Sequence, residues 1–369
     1  MKSPIRIGIF KPTNIRNDNA FATGQHIIFS ELNNLELFDV TYFSDDKNTS
    51  FPGIKTLHLT INEFKTLKNR ILRKITGKFY FKIPAFQNIS FKEFDLIITE
   101  GLHYPLLFYL NDYSGKILFN DSITLDKMFT KKKIIYFNSI FKNKTSVLVN
   151  NSIKKLYEKY KIENKAVVIS HALDTSKIRF EHKEKFDGNI MSVGRLEIEK
   201  GIDVILRALR LLKDEGIHFK YDIYGVGSQQ KNLMKLTNEL ELTNYVNFKG
   251  YVENNILLEL FSNYSLFISH PISTKHVAEA FNMAMAEAIC SGLPSITSKC
   301  GGMEDVFKNQ VAYCEEKNVL QLSQVIKKLI REEENFSNAS KSGAKYIREK
   351  FDKKIIIKKW EKIIKETVA

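Results

Sequence analysis

The sequence MSVGRLEIEKGID, residues 191–203, contains a strand-to-helix transition that indicates the fold. Its first residues predict a buried strand that ends at Gly194, and a helix is expected to open near Gly201. The apolar residues of that helix recur at helical spacing: Ile202, Ile205, Leu206, Leu209 and Leu212. Arg195 and Lys200 therefore flank a turn at the carboxyl end of a strand, where open α/β sheets bind ligands. Fixed cations there suit a phosphate leaving group; solvated surface charge is the alternative.

The second informative stretch is EAFNMAMAE, residues 279–287, which has a glutamate at each end. If a helix opens just after Glu279, the rise per residue separates the two carboxylates by about 12 Å along its axis. The unpaired N–H groups of the first turn would lie between them, at the positive end of the helix. A nucleotide diphosphate-sugar fits this arrangement, with its sugar hydroxyls at Glu279, its ribose at Glu287 and its diphosphate at the helix end. An ordinary amphipathic helix with two acids at this spacing is the alternative.

These residues, with three further strings, resemble the retaining glycosyltransferases of the GT-B fold, specifically family 4. The further strings are DIYGVG (222–227), VNFKGYV (246–252) and the segment 288–304. They occur in the family's order and spacing, so the resemblance is specific over residues 188–310. It implies an α/β protein of the GT-B class, with two Rossmann-like, doubly wound parallel-sheet domains that face a cleft.

The length of 369 residues and the alternation of strand and helix patterns also predict two domains. Residues 1–180 are expected to form an N-terminal, acceptor-binding domain. Residues 181–350 are expected to form a C-terminal domain that binds the nucleotide-sugar donor. The last helix, about 351–369, resembles the segment with which family members cross back onto the first domain, and Trp360 is expected to pack there.

The resemblance also implies roles for individual residues. Arg195, Lys200 and Glu279 are expected to be catalytic, because the two cations would hold the diphosphate and Glu279 would position the donor sugar. The residues expected to bind the donor are Gly24, Gly194, Gly250, Tyr251, Val252, Phe281, Asn282, Met283 and Glu287. On the acceptor side, Glu100 holds the position where the family tends to carry a histidine, and His103 follows three residues later. A surface role is the alternative for these last two residues.

This chain departs from the family pattern beside the first glutamate. Ala280 and Asn282 stand where family members commonly have glycine. Their side chains are expected to narrow the sugar pocket, so the pattern does not identify the donor sugar. A donor of the UDP or GDP type is expected.

The formal net charge of +14 is concentrated in the first half of the chain. Residues 1–185 contain 30 Lys and Arg against 18 acidic residues, whereas residues 186–369 contain 26 against 24. The densest basic stretch is 64–82, whose apolar residues recur at three- and four-residue steps, as in an amphipathic helix with a cationic face. Such a helix either packs on its own domain or docks on an anionic membrane surface, where a lipid-linked acceptor would lie.

Other classes of protein fit the sequence less well. No stretch approaches the length of a membrane-spanning helix, and the amino terminus has too short an apolar run for a signal peptide. A cytoplasmic protein, or one peripheral on the inner face of the cell membrane, is therefore expected. The cysteines Cys290, Cys300 and Cys314 lack the paired spacing of a zinc site, and no metal or other cofactor is expected. Nucleic-acid binding would suit the basic charge, but zinc-finger and RNP signatures are absent.

The function that follows is the retaining transfer of a hexose-type unit from a nucleotide diphosphate-sugar to a glycan or lipid-linked glycan. Surface polysaccharide, lipopolysaccharide or glycolipid assembly is the expected setting. A sugar phosphorylase or a nucleotide-sugar epimerase on the same fold is the alternative.

Overall fold

The computed structural model describes residues 3–10, 20–44, 53–58, 91–100, 115–121, 129–275 and 278–369. The chain forms two compact units. Met1–Ala172 and Ile356–Ala369 make up the first, and Leu173–Ile355 the second. The chain therefore returns to the first unit after it has completed the second. The domain boundary predicted from the sequence, after residue 180, lies a few residues beyond the division in the structure.

The first unit is built on a seven-stranded sheet in which every pairing is parallel. Its strands are β1 (Ile5–Phe10), β2 (Phe38–Ser44), β3 (Lys55–His58), β4 (Leu96–Glu100), β5 (Lys116–Asp121), β6 (Thr145–Leu148) and β7 (Lys165–Val168). Its described helices include α1 (Ala20–Asn33), α2 (Lys131–Phe141) and α3 (Asn151–Lys159). The strand order is β3-β2-β1-β4-β5-β6-β7. Inner strands such as β1 and β4 bury most of their residues, because helices cover both faces of such a sheet.

The second unit is built on a six-stranded sheet that is also fully parallel. Its strands are β8 (Asn189–Val193), β9 (Lys220–Tyr224), β10 (Val246–Gly250), β11 (Leu266–Ser269), β12 (Ser295–Ser298) and β13 (Ala312–Cys314). Its helices are α4 (Ile202–Asp214), α5 (Gln230–Glu239), α6 (Asn254–Leu260), α7 (Met283–Ser291), α8 (Met303–Phe307), α9 (Val319–Arg331) and α10 (Glu333–Phe351). The helix α4 shows how burial follows the sequence, since its apolar stripe, including Ile205 and Leu209, lies in the core of this unit.

The last helix, α11 (Lys353–Val368), belongs mainly to the first unit. Its apolar residues Ile356, Trp360 and Ile364 are buried in the same core as Ile7 and Phe29. The indole of Trp360 meets the ring of Phe29 edge-on, with centroids 5.2 Å apart. An α-helix of this kind is stable because its apolar face is covered, and here α1 and strands of the first sheet provide the cover.

The second sheet has the strand order β10-β9-β8-β11-β12-β13. The chain moves outward in one direction from β8 to β10 and then returns to the other side of β8 at β11. The boundary between β8 and β11 is thus a topological switch point, where the loops at the carboxyl ends of the strands diverge and leave a crevice. The predicted fold class, two Rossmann-like doubly wound parallel-sheet domains, is confirmed. Within the described ranges, no helix is both long and apolar enough to cross a membrane.

Candidate functional site

Two loops leave the second sheet at its switch point. The loop after β8 begins with Gly194 and Arg195 and reaches Lys200, in a single 3-10 turn before α4. The loop after β11 contains Glu279 and leads into α7. Because β8 and β11 are neighbouring parallel strands, their carboxyl ends bring both loops to the same edge of the sheet.

Lys200 and Glu279 are in direct contact across this edge. Nζ of Lys200 lies 2.5 Å from Oε2 of Glu279, and the side chains are 23% and 16% exposed. Partial burial lowers the effective dielectric, so this pair attracts more strongly than a pair of fully hydrated surface charges. Both residues were predicted to belong to the site, and the structure joins them although they are 79 positions apart.

The backbone of the β8 loop is fixed by the loop that follows β9. Gly194 donates its N–H to the carbonyl of Tyr224 at 2.9 Å, and Leu196 donates to Val226 at 3.0 Å. Gly225 has a φ of 131°, and a Cβ atom there would lie 1.9 Å from the carbonyl oxygen of Gly194. No residue with a side chain fits at Gly225 without moving one of the two loops.

Arg195 is the exposed cation of the site and Lys200 the largely buried one. The Arg195 side chain is 61% exposed, and its Nη2 lies 2.8 Å from Oε1 of Glu199. Next to it, Glu197 accepts hydrogen bonds from the N–H and the hydroxyl of Ser228, at 2.9 and 2.6 Å. These hydrogen bonds hold the pKa of the Glu197 carboxyl below its ordinary value, and the charge of Arg195 acts in the same direction.

Glu279 lies in an irregular segment, and α7 begins only at Met283. The prediction that a helix opens just after Glu279 is therefore wrong, and the axial separation of about 12 Å derived from helical rise does not apply. The segment is fixed instead by a glycine pair. Gly302 donates its N–H to the carbonyl of Glu279 at 2.8 Å, and a Cβ on Gly301 would lie 2.2 Å from the same oxygen.

Asn282 determines where α7 begins. Its Oδ1 accepts the N–H of Met285 at 3.0 Å, which satisfies one of the open donors of the first turn. Its Nδ2 donates to the hydroxyl of Ser269, at the end of β11, at 2.9 Å. The side chain was expected to narrow the sugar pocket, but its hydrogen bonds give it a different task, which is to tie the start of α7 to the sheet.

Two predicted donor-binding residues have side chains that are buried in the core of the unit. The ring of Phe281 packs against Phe307 and Phe351, with centroids 6.0 and 5.3 Å away. Met283 is also buried. A ligand at the start of α7 therefore meets the main chain of these residues, including the N–H groups that the first turn of a helix leaves open.

Glu287 lies in the second turn of α7 and is 8% exposed. Its Oε1 accepts a hydrogen bond from Nδ2 of Asn254 at 3.1 Å. Among the described residues Oε2 has no partner, yet it is not one of the unpaired side-chain atoms that are sealed from solvent. Burial raises the pKa of Glu287 to about 7, and the hydrogen bond from Asn254 acts against that rise.

Gly250, Tyr251 and Val252 follow one another at the carboxyl end of β10. Gly250 ends the strand with a φ of 73°, and its carbonyl accepts the N–H of Gly225 at 2.7 Å. Val252 is partly buried, whereas the ring of Tyr251 is 59% exposed. This large exposed aromatic side chain lies at the same edge of the sheet as the loops at the switch point, since all the strands are parallel.

Several predicted features fall outside what is described. Gly24 lies in α1 and Glu100 ends β4, but the surroundings of these two residues are not part of the described structure. His103 and the basic segment 64–82 lie wholly outside the described residues. Asn254, by contrast, carries no sequence signal of its own and enters the site only through its contact with Glu287.

The described residues offer little to hold a metal. No group of three or more His, Cys, Asp and Glu side chains among them is placed to bind a metal ion. The thiols of Cys290, Cys300 and Cys314 are free and buried. Burial raises the pKa of the Cys300 thiol to about 11.

The second unit is similar to known proteins. Residues 174–346 match the family model of glycosyl transferases group 1. The GtfA subunit of a UDP-N-acetylglucosamine–peptide N-acetylglucosaminyltransferase from Streptococcus parasanguinis is 29% identical over 143 residues, which cover 39% of this chain and 26% of the relative. The amylovoran biosynthesis glycosyltransferase AmsK from Erwinia amylovora is 27% identical over 124 residues, covering 33% and 30%. The matches thus span less than a third of the length of these curated relatives.

A solved structure extends the likeness to nearly the whole chain. HepE from Anabaena, in complex with UDP-glucose, superposes with a TM-score of 0.75 at 13% identity and covers 98% of this chain and 100% of its own. At this identity the likeness concerns the fold alone. The fold and its two parallel-sheet units are those of the GT-B class. More particularly, residues 174–346 of the second unit match the glycosyl transferases group 1.

Proposed function

We propose that this protein is a retaining glycosyltransferase that moves a sugar from a nucleoside diphosphate to a glycan or lipid-linked glycan. The observation that carries the proposal is the ion pair of Lys200 and Glu279 at the switch point, close to the start of α7. In a nucleotide-sugar, the sugar hydroxyls and the phosphate lie next to each other across the bond that breaks. A carboxylate for hydroxyls and a cation for phosphate, 2.5 Å apart, suit that pair of groups.

The departing diphosphate is stabilised by groups that are in place before the reaction. Lys200 and Arg195 supply positive charge, and the N–H groups of Met283 and Ala284 lie in the first turn of α7, where no helical carbonyl accepts from them. Asn282 takes the N–H of Met285 and so fixes the direction of the turn. Preorganised donors aimed at developing negative charge are the main source of catalysis when the leaving group is an anion.

Glu279 acts by binding hydroxyls of the donor sugar rather than by forming a bond to its anomeric carbon. Its carboxylate is compensated by the ammonium group of Lys200, which leaves it a hydrogen-bond acceptor but weakens it as a nucleophile. Retention then arises because the diphosphate leaves and the acceptor hydroxyl arrives on the same face, through an oxocarbenium-like state. The leaving diphosphate itself is available to take the proton of the acceptor.

Glu287 binds the ribose of the donor. Its Oε1 is held by Asn254, so Oε2 is the atom left to accept hydrogen bonds from the ribose hydroxyls. Glu279 lies in the irregular segment before α7 and Glu287 in the second turn of that helix, so the two are not on one continuous helix as predicted.

We favour UDP over GDP as the nucleotide of the donor. The relative GtfA is named for UDP-N-acetylglucosamine, and HepE is described in complex with UDP-glucose. Tyr251 offers an exposed ring at the same edge of the sheet, where a base can stack on it. A pyrimidine and a purine both fit such a platform, and comparing the binding of UDP and GDP distinguishes them.

The acceptor belongs to surface polysaccharide or glycolipid assembly. AmsK, one of the relatives, is named for amylovoran biosynthesis. The positive charge of the first half of the chain is suited to an anionic membrane surface, on which a lipid-linked acceptor is carried. The protein therefore works as a peripheral protein at the cytoplasmic face of the membrane.

Thermal unfolding with nucleotides tests the proposal. A nucleotide at about a hundred times its dissociation constant stabilises the native state by about 2.7 kcal/mol, which raises the midpoint by a few degrees. UDP, GDP, ADP and CMP are compared on the wild-type protein and on Arg195→Ala. A shift with one nucleoside diphosphate that is reduced in the variant supports the proposal. No shift with any diphosphate at saturating concentration contradicts it.

A further inference from the structure

The side chain of Asn254 forms its hydrogen bond with a helix other than its own. It is the first residue of α6, where the cap position before it is held by Glu253, whose side chain makes no capping hydrogen bond. Instead of capping α6, the amide of Asn254 reaches across to α7 and donates to Oε1 of Glu287 at 3.1 Å. The neighbouring Asn255 is exposed and makes no such contact among the described residues.

Glu287 is a nearly buried carboxyl group without a cationic partner. In the described part of the chain, its pKa responds to burial and to the hydrogen bond from Asn254, and no neighbouring charge of either sign contributes. Burial favours the protonated form and raises the pKa to about 7, whereas Asn254 favours the charged form. The hydrogen bond from the neutral amide of Asn254 thus favours the charged form of Glu287 near neutral pH.

The elements that pack on α7 bring few titratable groups to this carboxyl. β11, β12 and the turn Phe261–Asn263 have none in their sequences. α6 contains Glu259 and is preceded by Glu253, both exposed. α10 presents Arg348, whose guanidinium donates to backbone carbonyl groups. On α7 itself, burial raises the pKa of the Cys290 thiol to about 11.

We propose that Asn254 is a positioning residue of the donor site, which holds Oε1 of Glu287 so that Oε2 meets the ribose hydroxyls. This inference rests on the proposed function, because it requires that Glu287 bind the ribose of a nucleotide-sugar. Asn254 touches neither donor nor reacting atoms and acts only through Glu287. It does so in two ways, by fixing the rotamer of the carboxyl group and by stabilising its charge.

The pH dependence of donor binding follows from this arrangement. The charged carboxylate accepts two hydrogen bonds from a ribose diol, whereas the protonated form accepts more weakly. Donor binding therefore strengthens as pH rises through about 7. In Asn254→Ala the group that opposes the effect of burial is gone, so the rise occurs at higher pH. In Asn254→Asp a second carboxylate faces Glu287, and the rise moves further in the same direction.

The test uses UDP-glucose as the probe, because its diphosphate is esterified at both ends and does not titrate near neutrality. Its dissociation constant is measured by calorimetry between about pH 5.5 and pH 8.5. In parallel, the titration of Glu287 is followed without ligand by the carboxyl-carbon resonance that Glu287→Gln lacks. The proteins compared are the wild type, Asn254→Ala, Asn254→Asp and Glu287→Gln, with Asn255→Ala as the matched control on the same helix.

The expected result is a dissociation constant at pH 7 about tenfold higher in Asn254→Ala, the size expected for loss of a hydrogen bond to a charged group. The difference shrinks at the highest pH, and Asn255→Ala behaves as the wild type. Glu287→Gln binds weakly and without this pH dependence. If Asn254→Ala binds UDP-glucose with the wild-type pH profile, the inference is overturned and the proposed function stands. If the wild type binds neither UDP-glucose nor a GDP-sugar at any pH, both are overturned.

Discussion

Nζ of Lys200 lies 2.5 Å from Oε2 of Glu279, so the cation and the carboxylate of the proposed donor site are in direct contact. Each side chain restrains the other, and each keeps the other's charge from being left unpaired in a largely buried place. In the proposed function, the phosphate of a nucleotide-sugar shares Lys200 with Glu279. The two residues are expected to behave as one unit.

Replacing Lys200 and Glu279, singly and together, tests whether the two residues act as one unit. Glu279→Gln is expected to lower turnover at least about tenfold, and Lys200→Gln to act similarly, because each variant removes one charge of the pair. The double variant should lose much less than the sum, with a coupling of about 0.5–3 kcal/mol in kcat/KM. Glu304→Gln, an exposed carboxylate on α8, is the control. Strictly additive losses would show that the contact has no part in function.

Arg195→Ala is expected to lower the rate at least about tenfold and to weaken nucleotide binding without unfolding the protein. The side chain is mostly exposed, so its removal leaves no cavity. Initial rates and the midpoint of thermal unfolding are measured together. Arg207→Ala is the control, since Arg207 is exposed on α4 and forms no ion pair with the described residues. Wild-type rates in a folded Arg195→Ala protein would exclude a contact of Arg195 with the diphosphate.

Gly225→Ala is expected to damage both stability and donor binding. A Cβ at this position would lie 1.9 Å from the Gly194 carbonyl oxygen, so one of the two loops has to move. Gly216→Ala is a matched control, because Gly216 also has a positive φ, 74°, but a Cβ there meets nothing within 4 Å. The control should lose only about 1–2 kcal/mol from backbone conformation. Equal losses of the free energy of unfolding in urea would show that the glycine contact is not tight.

Glu287→Gln is expected to change how stability depends on pH. Burial raises the pKa of Glu287 from 4.5 to about 7 in the folded protein, so folding favours its protonated form. This contribution is fully present below about pH 4.5 and is lost as pH rises through 7. The glutamine variant lacks it, and its stability relative to the wild type should grow by about 3 kcal/mol between pH 4.5 and pH 8. Urea unfolding at a series of pH values measures this, and a constant difference would contradict it.

The basic segment 64–82 is expected to bind anionic membrane. Replacing four of its cations by glutamine should weaken binding to anionic liposomes, by up to about 1 kcal/mol for each, and leave UDP binding unchanged. The four are Lys68, Arg70, Arg73 and Lys74. A control replaces four exposed lysines of α11: Lys354, Lys358, Lys359 and Lys362. Liposome binding that falls only in the control would move the membrane surface to α11, and no change in either would remove the membrane proposal.

The sequence was most informative where a feature of the structure is determined by residues close together in the chain. A buried strand that ends at Gly194 and two nearby cations predicted a phosphate site at the end of β8, and the structure places Lys200 against Glu279 there. The strand and helix alternation predicted both parallel sheets. The strands β3 and β13, at the two edges of their sheets, were not predicted from the sequence.

The remaining features depend on contacts between residues that are distant in the chain. The start of α7 is set by Asn282, whose side chain needs the hydroxyl of Ser269 at the end of β11 as well as the helix. The helical spacing of Glu279 and Glu287 alone did not reveal this. Asn254 stands 33 positions before Glu287, and nothing in the intervening sequence marks it as a partner.

The helix α11 has a consequence for how the protein is made. Ile356, Trp360 and Ile364 complete the core of the first unit, yet they are synthesised after the whole of the second. At ordinary rates of translation, roughly 10 to 40 seconds separate Ala172 from Ile356 on the ribosome. During that interval the amino-terminal sheet lacks the helix that covers part of it, and all strands of the second unit are synthesised before that helix is. The order of folding is thus expected to run against the order of synthesis, and nascent chains of this protein present an apolar surface on which a chaperone can act.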